Sequence, residues 1–314
     1  MTIIKIKTLD QFIKEVQKIC LPNNVTNYPK ILFRGEADVS WKQEASLFRG
    51  KFETETYTKD VNVSLEKDLI DAAKTECPQA FNSCPNAISR LVRMQHYGLP
   101  TRLYDVTANP LVALYFSCNI EPEKDGKVMF TKTQTRSIDD VNIMAGLVEN
   151  IESYEDLLTV EKLYFYGKTN GIFLMDEKFS DSVKLWLFQN VTKPFLFQPP
   201  FDNERIKRQQ GAMIFSPLLK ISPFENERKY RRLEKRTTFD EQMKNFTFKK
   251  ENVDLRSLFE KKEFVIKAED KKTILRGLDL IGINEAYVYS ELEHQLKTIK
   301  YQNIPKADYR FYYD

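Results

Sequence analysis

The segment NPLVALYFSC, Asn109 to Cys118, limits the possible folds more than any other stretch of the chain. An asparagine followed by a proline is typical of a helix start, with Asn109 as the cap and Pro110 in the first turn. The residues that follow are apolar on nearly every side of such a helix. A helix without a polar face has to be buried. We therefore predict a buried helix at about 110–118, covered by the rest of the chain.

The remaining patterns predict short strands and helices in irregular order. Strands are expected at ILFRG, GKVMFTK, VKLWLF, GAMIFSP and KEFVIKA, and helices at TLDQFIKEVQKIC, NVSLEKDLIDAAKTEC, NAISRLVRMQHY, AEDKKTILRGLDLIG and ELEHQLKTIKYQ. Strands and helices do not alternate regularly, which argues against repeated βαβ units. We expect an α+β fold, with a small central sheet flanked by helices.

We expect one irregular mixed domain over residues 1–314. Its core motifs lie at residues 31–50, 94–118 and 199–216, and a C-terminal helical part lies at about 269–302.

Composition excludes several classes of function. The chain has 48 basic and 45 acidic residues and a net charge of +3, so no extended electrostatic grip on nucleic acid or membrane is expected. It has four cysteines without a CxxC pair and only two histidines, so we expect no metal site. We find neither the pattern of a signal peptide nor an apolar run of membrane-spanning length, and we predict a cytoplasmic protein.

The segment before the buried helix carries an unusual set of polar residues. Gly98 and Pro100 are typical of a helix end, so Leu99–Ala108 is predicted to be a loop between two helices. The loop contains Thr101, Arg102, Asp105 and Thr107.

Two interpretations of this loop stay open. In the first, Arg102 and Asp105 form an internal salt bridge while Thr107 and Asn109 cap the next helix. In the second, these groups form a polar pocket floor, with Arg102 and the helix N-terminus facing a phosphate. For His96, near the end of the preceding helix, we expect a capping or packing role before a catalytic one.

Two further stretches carry candidate residues. Arg34 ends a short strand and would need a partner, such as Glu36 or Asp38, or a ligand if it is buried. The stretch from Arg205 to Gly211 fits a simple helix–strand turn or one wall of a pocket. The basic cluster RKYRRLEKR at Arg228–Arg236 is interpreted as a solvated face.

Three stretches together resemble the FRG domain family, named for a Phe-Arg-Gly motif found here at Phe33–Gly35. They are Phe33–Arg49, Gln95–Cys118 and Asn203–Phe215, and the middle one is the most specific. Ser290 stands where a proline is usual, and Tyr104 and Val106 stand where Leu and Trp are common. Family members are mostly bacterial and phage-borne proteins.

A fainter similarity links the strand-borne Arg-Gly motif to mono-ADP-ribosyltransferases. In that fold the arginine binds the phosphates or ribose of NAD, and a later Glu or Gln contacts the nicotinamide ribose. The resemblance implies Arg34 for the first role, and Gln209, Gln210, Glu204 and Glu291 are open candidates for the second. We take Arg34, Gln210 and Glu204 as candidate catalytic residues.

The polar loop and the other FRG-like stretches suggest which residues hold the ligand. The candidates are Gly35, Glu36, His96, Thr101, Arg102, Asp105, Thr107, Asn109, Arg205 and Gln209. Arg34 and Arg102 would hold a pyrophosphate between them. We therefore expect Arg34, Arg102 and Gln210 to lie close together in space.

Two functions follow as hypotheses. The first is an intracellular effector that uses NAD or a related nucleotide as substrate and binds no cofactor, acting in toxin activity or phage defence. A protein or a nucleic acid would be its acceptor, without membrane contact. The alternative is a non-catalytic module that senses a nucleotide or a nucleic acid. The sequence leaves the oligomeric state, the substrate and the catalytic acid open.

Overall fold

A mixed sheet of eight strands organises the protein in a computed structural model. The structure describes residues 2–20, 30–49, 62–132, 134–150, 160–173, 179–199, 204–217, 220–221, 248–249 and 255–289. Its strands are β1 (Thr2–Ile6), β2 (Ile31–Glu36), β3 (Leu103–Thr107), β4 (Gly126–Lys132), β5 (Thr135–Arg136), β6 (Phe195–Phe197), β7 (Gly211–Phe215), β8 (Lys220–Ile221), β9 (Phe248–Lys249) and β10 (Lys262–Ile266).

The order of strands in the sheet is β1-β10-β4-β2-β3-β7-β6-β5, and β8 pairs with β9 separately. The pairs β1–β10 and β5–β6 are parallel, whereas the other pairs of the sheet are antiparallel. The candidate segments of the first and second motifs therefore form β2 and β3, the two central strands.

Helices pack on the face of this sheet that carries Phe33 and Leu103, whereas the segments 45–48 and 255–259 cover the opposite face, which carries Leu32 and Tyr104. The helices are α1 (Leu9–Cys20), α2 (Asn62–Glu76), α3 (Pro78–Phe81), α4 (Ala87–His96), α5 (Pro110–Cys118), α6 (Ile138–Asn150), α7 (Val160–Thr169), α8 (Asp181–Thr192), α9 (Glu204–Arg208), α10 (Ala268–Leu280) and α11 (Glu285–Val288). Short 3₁₀ turns lie at Ser46–Phe48 and Leu255–Leu258. The predicted α+β class with a central sheet flanked by helices is confirmed. None of the described helices is long and apolar enough to cross a bilayer.

The predicted buried helix is α5, and its start and burial are confirmed. The side chain of Asn109 accepts a hydrogen bond from the Leu111 N–H at 3.0 Å, as expected of a helix cap. A Cβ on Gly35 of β2 would lie only 1.8 Å from the Ala113 carbonyl oxygen, and one on Gly126 would lie 2.1 Å from the Ser117 oxygen. The helix therefore packs directly against the main chain of β2 and β4, with glycine at both contacts.

The prediction of a loop at Leu99–Ala108 is wrong, because Leu103–Thr107 forms strand β3. This strand pairs with β7 along its whole length and with β2 at one residue pair, Phe33 with Thr107. Leu103, Tyr104 and Val106 are buried, and they point to both faces of the sheet. A strand covered on both faces lacks the polar–apolar alternation that marks a strand in a sequence.

The strand predicted at VKLWLF is also wrong, since this stretch lies inside α8. The Ser180 side chain accepts a hydrogen bond from the Val183 N–H and caps the helix. Leu187 and Val191, four residues apart, are both fully buried. Short apolar runs do not separate strand from helix, and here the helical face meets the core.

The C-terminal helical part is described as far as Tyr289. Helix α10 ends at Leu280, and Gly282 with a φ of +82° provides the predicted C-terminal glycine. The helix predicted at ELEHQLKTIKYQ and the basic cluster Arg228–Arg236 lie outside the described residues. The single domain over 1–314 stays a prediction.

Candidate ligand-binding site

Arg34 lies between the two central strands of the sheet. Along β2, Phe33 and Gly35 face α5, so Arg34 points to the opposite face. Its Nη1 donates a hydrogen bond to the main-chain oxygen of Asp105 in β3 at 3.0 Å. The guanidinium carbon lies 4.4 Å from the centroid of the Tyr104 ring, and 19% of the side chain is exposed. Arg34 thus links β2 to β3 while one edge of it stays accessible.

Glu36 is fully buried beside this arginine and has its own partners. Its Oε1 accepts from the Tyr104 hydroxyl at 2.5 Å, and its Oε2 accepts from Gln43 Nε2 at 3.0 Å. Lys127 Nζ lies 3.2 Å from the same Oε2 and also donates to two main-chain carbonyls. Arg34 Nε lies 3.8 Å from Glu36 Oε1, which is too long for a hydrogen bond. Lys127 therefore compensates the Glu36 charge more directly than Arg34 does.

Burial and charge act in opposite directions on the groups around Glu36. Burial opposes the charge of Arg34, but the neighbouring Tyr104, Glu36 and Asp105 hold the pKa of Arg34 above its usual value. Burial raises the pKa of the Tyr104 hydroxyl, and the positive charge of Arg34 only partly opposes this. Tyr104 is accordingly a neutral hydrogen-bond donor to Glu36 at neutral pH.

Arg49 lies beside the same tyrosine and is not among the residues predicted for the site. It follows the 3₁₀ turn Ser46–Phe48, and its Nε donates to the Glu44 carbonyl oxygen at 2.8 Å. Its guanidinium carbon lies 5.7 Å from the centroid of the same Tyr104 ring that Arg34 covers. The only signal for it in the sequence is its place at the end of the first FRG-like stretch, Phe33–Arg49.

A cleft lies on the other side of β3, where the Asp105 side chain points. It is lined by residues of α4, β3, α9 and β7, namely Gln95, His96, Asp105, Val106, Arg205, Ile206, Gln209, Gly211, Ala212 and Met213. Asp105 Oδ2 accepts from Gln95 Nε2 at 3.2 Å, and Gln95 Oε1 accepts from the Thr101 hydroxyl at 2.6 Å. The Gln95 amide therefore fixes the position of the Asp105 carboxylate, and the Thr101 hydroxyl fixes the Gln95 amide.

The C-terminal segment forms the outer support of this cleft. Gln209 Nε2 donates to the Val288 carbonyl oxygen at 3.0 Å. The Arg205 guanidinium carbon lies 4.9 Å from the centroid of the Tyr289 ring, and Arg208 Nη1 donates to the Ala286 oxygen at 3.4 Å. Helices α9 and α11 are therefore tied together. The enclosed volume is about 40 Å³, enough for a few water molecules.

Arg102 does not face the cleft, which corrects its predicted place in the pocket floor. Its side chain is fully buried, and Nε donates to Glu66 Oε2 at 2.7 Å. The Arg102 N–H donates to the other oxygen of Glu66 at 3.0 Å, and Nη1 reaches the carbonyls of Ser216 and Pro217. The partner of Arg102 is therefore Glu66 of α2 and not Asp105. Nη2 also lies 2.5 Å from Glu66 Oε2 inside the core, so the guanidinium faces Glu66 and not an open cleft.

Arg34, Arg102 and Gln210 do not lie together, so the predicted shared pocket is wrong. The Ser216 N–H bonds to the Arg102 oxygen, whereas the Ala108 N–H bonds to the Gln210 oxygen at the other end of the same strand pair. Strands rise by about 3.3 Å per residue, which separates these two ends by roughly 20 Å. Arg34 contacts Asp105 between them.

Gln210 and Glu204 also lack the surroundings of catalytic groups. Gln210 is exposed and adopts a left-handed conformation with a φ of +47°, so it forms the tight turn that the sequence suggested for Gly211. Glu204 is exposed and pairs with Lys207 at 2.8 Å, and the hydrogen bond from Lys207 lowers the pKa of its carboxyl. Neither residue lines the cleft.

Thr107 and Asn109 hold the start of α5, as the structural interpretation of the segment predicts. The Thr107 hydroxyl donates to the Gln209 carbonyl oxygen and accepts from the Asn109 N–H. Asn109 caps the first turn of the helix. Both side chains are therefore used in joining β3, α5 and α9.

No group of three His, Cys, Asp or Glu side chains in the described part of the chain could hold a metal ion. Residues 29–126 match the family model of the FRG domain. This match agrees with the resemblance of the first two motif stretches to that family. A search of curated proteins and a search of solved structures found no match to the chain.

The FRG match contains both central strands and the helices α2 to α5, since it runs from just before β2 to the start of β4. The outer neighbours of these strands, β4 and β7, lie largely or wholly beyond the match. The matched segment therefore completes its sheet with strands from the rest of the chain.

Proposed function

We propose that the FRG domain of this protein is a binding module for a nucleotide, with the cleft beside Asp105 as its recognition site. The observation that carries the proposal is that all three FRG-like stretches meet at Asp105. Arg34 of the first donates to its main-chain oxygen, Gln95 of the second donates to its carboxylate, and Arg205 and Gln209 of the third line the same cleft.

The chemistry of the cleft suits the sugar and base of a nucleotide. Asp105 is a half-buried carboxylate that accepts hydrogen bonds, as the hydroxyls of a ribose or an amino group of a base require. The glutamines and His96 add groups that donate and accept in fixed positions. A small number of convergent polar groups in a cleft is typical of small-molecule sites.

A volume of about 40 Å³ is too small for a whole nucleotide, so binding requires the cleft to open. The side chains of Arg205 and Gln209 form its movable part, because both are half-buried and contact Tyr289 and Val288 of the C-terminal segment. The rest of the cleft is fixed, since β3, α4 and Ile206 of α9 pack in the core. We expect these two side chains to turn outward when the ligand enters.

The second candidate is an NAD-cleaving effector in toxin activity or phage defence, and Asp105 is the observation in its favour. The residues first proposed for catalysis do not support it, since Glu204 is exposed and Gln210 lies outside the cleft. Asp105 is a carboxylate inside the cleft and next to His96. Cleavage of NAD would need such a carboxylate to stabilise an oxocarbenium-like centre.

The test is calorimetric titration of the purified full-length protein with NAD and with adenosine, with nicotinamide release followed in the same samples. The Asp105→Asn variant keeps the shape and removes the charge. We expect the affinity of this variant for NAD and for adenosine to fall by about tenfold or more, which corresponds to ~1.4 kcal/mol. Asp10→Asn is the matched control, because Asp10 is an exposed aspartate on α1.

Three results decide between the functions. Binding that depends on Asp105 without nicotinamide release supports the binding module. Release that depends on Asp105 establishes the enzyme instead. Equal binding by the wild type and Asp105→Asn contradicts the cleft as the recognition site.

A further inference from the structure

Two guanidinium groups meet over one buried aromatic ring. The guanidinium carbons of Arg34 and Arg49 lie 4.4 Å and 5.7 Å from the centroid of Tyr104, which is itself 1% exposed. Tyr104 points away from the cleft, since it alternates with Asp105 along β3. The two arginines therefore define a second location, on the opposite face of the sheet.

Positive charge exceeds negative charge at this location. Two carboxylates act on the arginines, Glu36 on the same face and Asp105 from the other face of β3, and Lys127 already lies 3.2 Å from one oxygen of Glu36. The pKa of Arg49 is lowered, first because its guanidinium end is partly desolvated over the ring and second because the charge of Arg34 is close. Like charges held together in this way are stabilised by a bound anion.

Both side chains are held in place before any ligand arrives. Arg34 Nη1 donates to the Asp105 carbonyl, and Arg49 Nε donates to the Glu44 carbonyl. These bonds use one N–H on each guanidinium, which has five. Arg34 Nε is buried 3.8 Å from Glu36 Oε1 and makes no hydrogen bond in the described part of the chain, so a ligand would meet the accessible edge of the guanidinium. The side chains thus keep donors for a ligand and lose little entropy when it binds.

We propose that Arg34 and Arg49 form a site for a phosphate or pyrophosphate group, with Tyr104 as its aromatic floor. Guanidinium groups match phosphate oxygens in two-point hydrogen bonds, and two of them suit a group with more than one negative charge. This site goes beyond the proposed nucleotide cleft, because it lies on the other face of β3 and uses Arg49. Either site can exist without the other.

The test is calorimetric titration of the full-length protein with inorganic pyrophosphate at low ionic strength, where screening is weak. We expect Arg49→Gln to weaken binding by at least about tenfold. Arg49→Lys keeps the positive charge but cannot form the two-point hydrogen bonds of a guanidinium group. We expect its affinity for pyrophosphate to lie between those of the wild type and Arg49→Gln. Arg276→Gln is the control, because it removes the charge of an exposed arginine on α10.

The outcomes separate this site from the cleft. Binding lost in Arg49→Gln and kept in Arg276→Gln supports the arginine pair, as does pyrophosphate binding that Asp105→Asn does not weaken. Equal binding by the wild type and Arg49→Gln, or equal losses in Arg49→Gln and Arg276→Gln, overturns it. Circular dichroism spectra check that each variant is folded, and Arg49 is exposed, so we expect no unfolding.

The source of the phosphate group is decided by comparing three ligands in the same experiment. Tighter binding of ADP than of pyrophosphate, lost again in Arg49→Gln, identifies a nucleotide phosphate as the ligand. Binding of pyrophosphate and ADP with equal affinity identifies the inorganic anion. Adenosine carries no phosphate, so its binding should not respond to Arg49→Gln. A response would overturn the assignment of this site to a phosphate.

Discussion

Two arginines contact β3, and their surroundings differ. Arg102 is fully buried and meets its own carboxylate, Glu66, through two hydrogen bonds. Arg34 is partly exposed, lies beside a second arginine and shares Glu36 with Lys127. An arginine whose charge is fully matched inside the protein holds the structure together. One whose charge is matched only in part is suited to a ligand. The sequence alone does not separate the two.

The largest expected effect is on the Arg102 side of this comparison. Glu66→Ala leaves the buried charge of Arg102 without its partner, which should lower the free energy of unfolding by about 3–5 kcal/mol. Urea denaturation followed by circular dichroism measures this change. Replacing both residues, as in Arg102→Met with Glu66→Leu, should recover much of the loss.

Asp71→Ala is the control for this prediction, since Asp71 pairs with Lys67 at the surface of the same helix. An exposed pair contributes about 0–1 kcal/mol. If Glu66→Ala costs no more than Asp71→Ala, the contrast between the two arginines is contradicted.

A smaller effect on stability is expected for Arg34. Arg34→Ala removes one hydrogen bond and leaves the Asp105 carbonyl without its donor, at a cost of about 1–3 kcal/mol. Pyrophosphate binding should be lost in the same variant, whereas Glu66→Ala should keep it at temperatures where that variant is folded. Urea denaturation and calorimetric titration give the two readouts. A stability loss equal to that of Glu66→Ala, with binding retained, would make Arg34 a structural residue.

The smallest expected effect is on how the free energy of unfolding changes at alkaline pH, and it comes from Tyr104, beneath Arg34. Burial raises the pKa of Tyr104 in the folded protein above the value of about 10 in the unfolded chain. The unfolded chain therefore loses this proton first. The contribution of the protonated Tyr104 to the free energy of unfolding is complete below about pH 10. It declines as the pH rises further, by at most ~1.4 kcal/mol per pH unit.

Tyr104→Phe should remove this part of the decline. The measurement compares the free energy of unfolding at about pH 9 and about pH 11 in the wild type and the variant. Other tyrosines and the lysines titrate in both proteins, so only the difference is interpreted. Identical pH dependence would show that the Tyr104 hydroxyl is not buried beside Glu36.

Local patterns in the sequence predicted the local features of the fold. The start of α5 followed from Asn109 and Pro110, because a cap and a first-turn proline act within a few residues. The end of α10 followed from Gly282 for the same reason. The strands at Phe33, Met213 and Phe264 followed from short apolar runs with β-forming residues.

Features that depend on distant parts of the chain were missed. Strand β3 is buried on both faces by elements far away in sequence, so its residues do not alternate. The pairing of Arg102 with Glu66 crosses 36 positions, and nothing near either residue indicates the other. Arg49 became a site residue only when the turn at Ser46–Phe48 brought it over Tyr104.

The joint between β2 and β3 has a mechanical consequence. In the described part of the chain, one residue pair, Phe33 with Thr107, joins the two strands in the ladder, and the guanidinium of Arg34 makes a further link. The strands β1, β10, β4 and β2 on one side and β3, β7, β6 and β5 on the other thus meet along a narrow seam. An anion at the proposed arginine site would bind the remaining donors of Arg34, while Nη1 keeps its bond to Asp105. Ligand affinity and the stability of the seam between the two half-sheets would then be thermodynamically coupled.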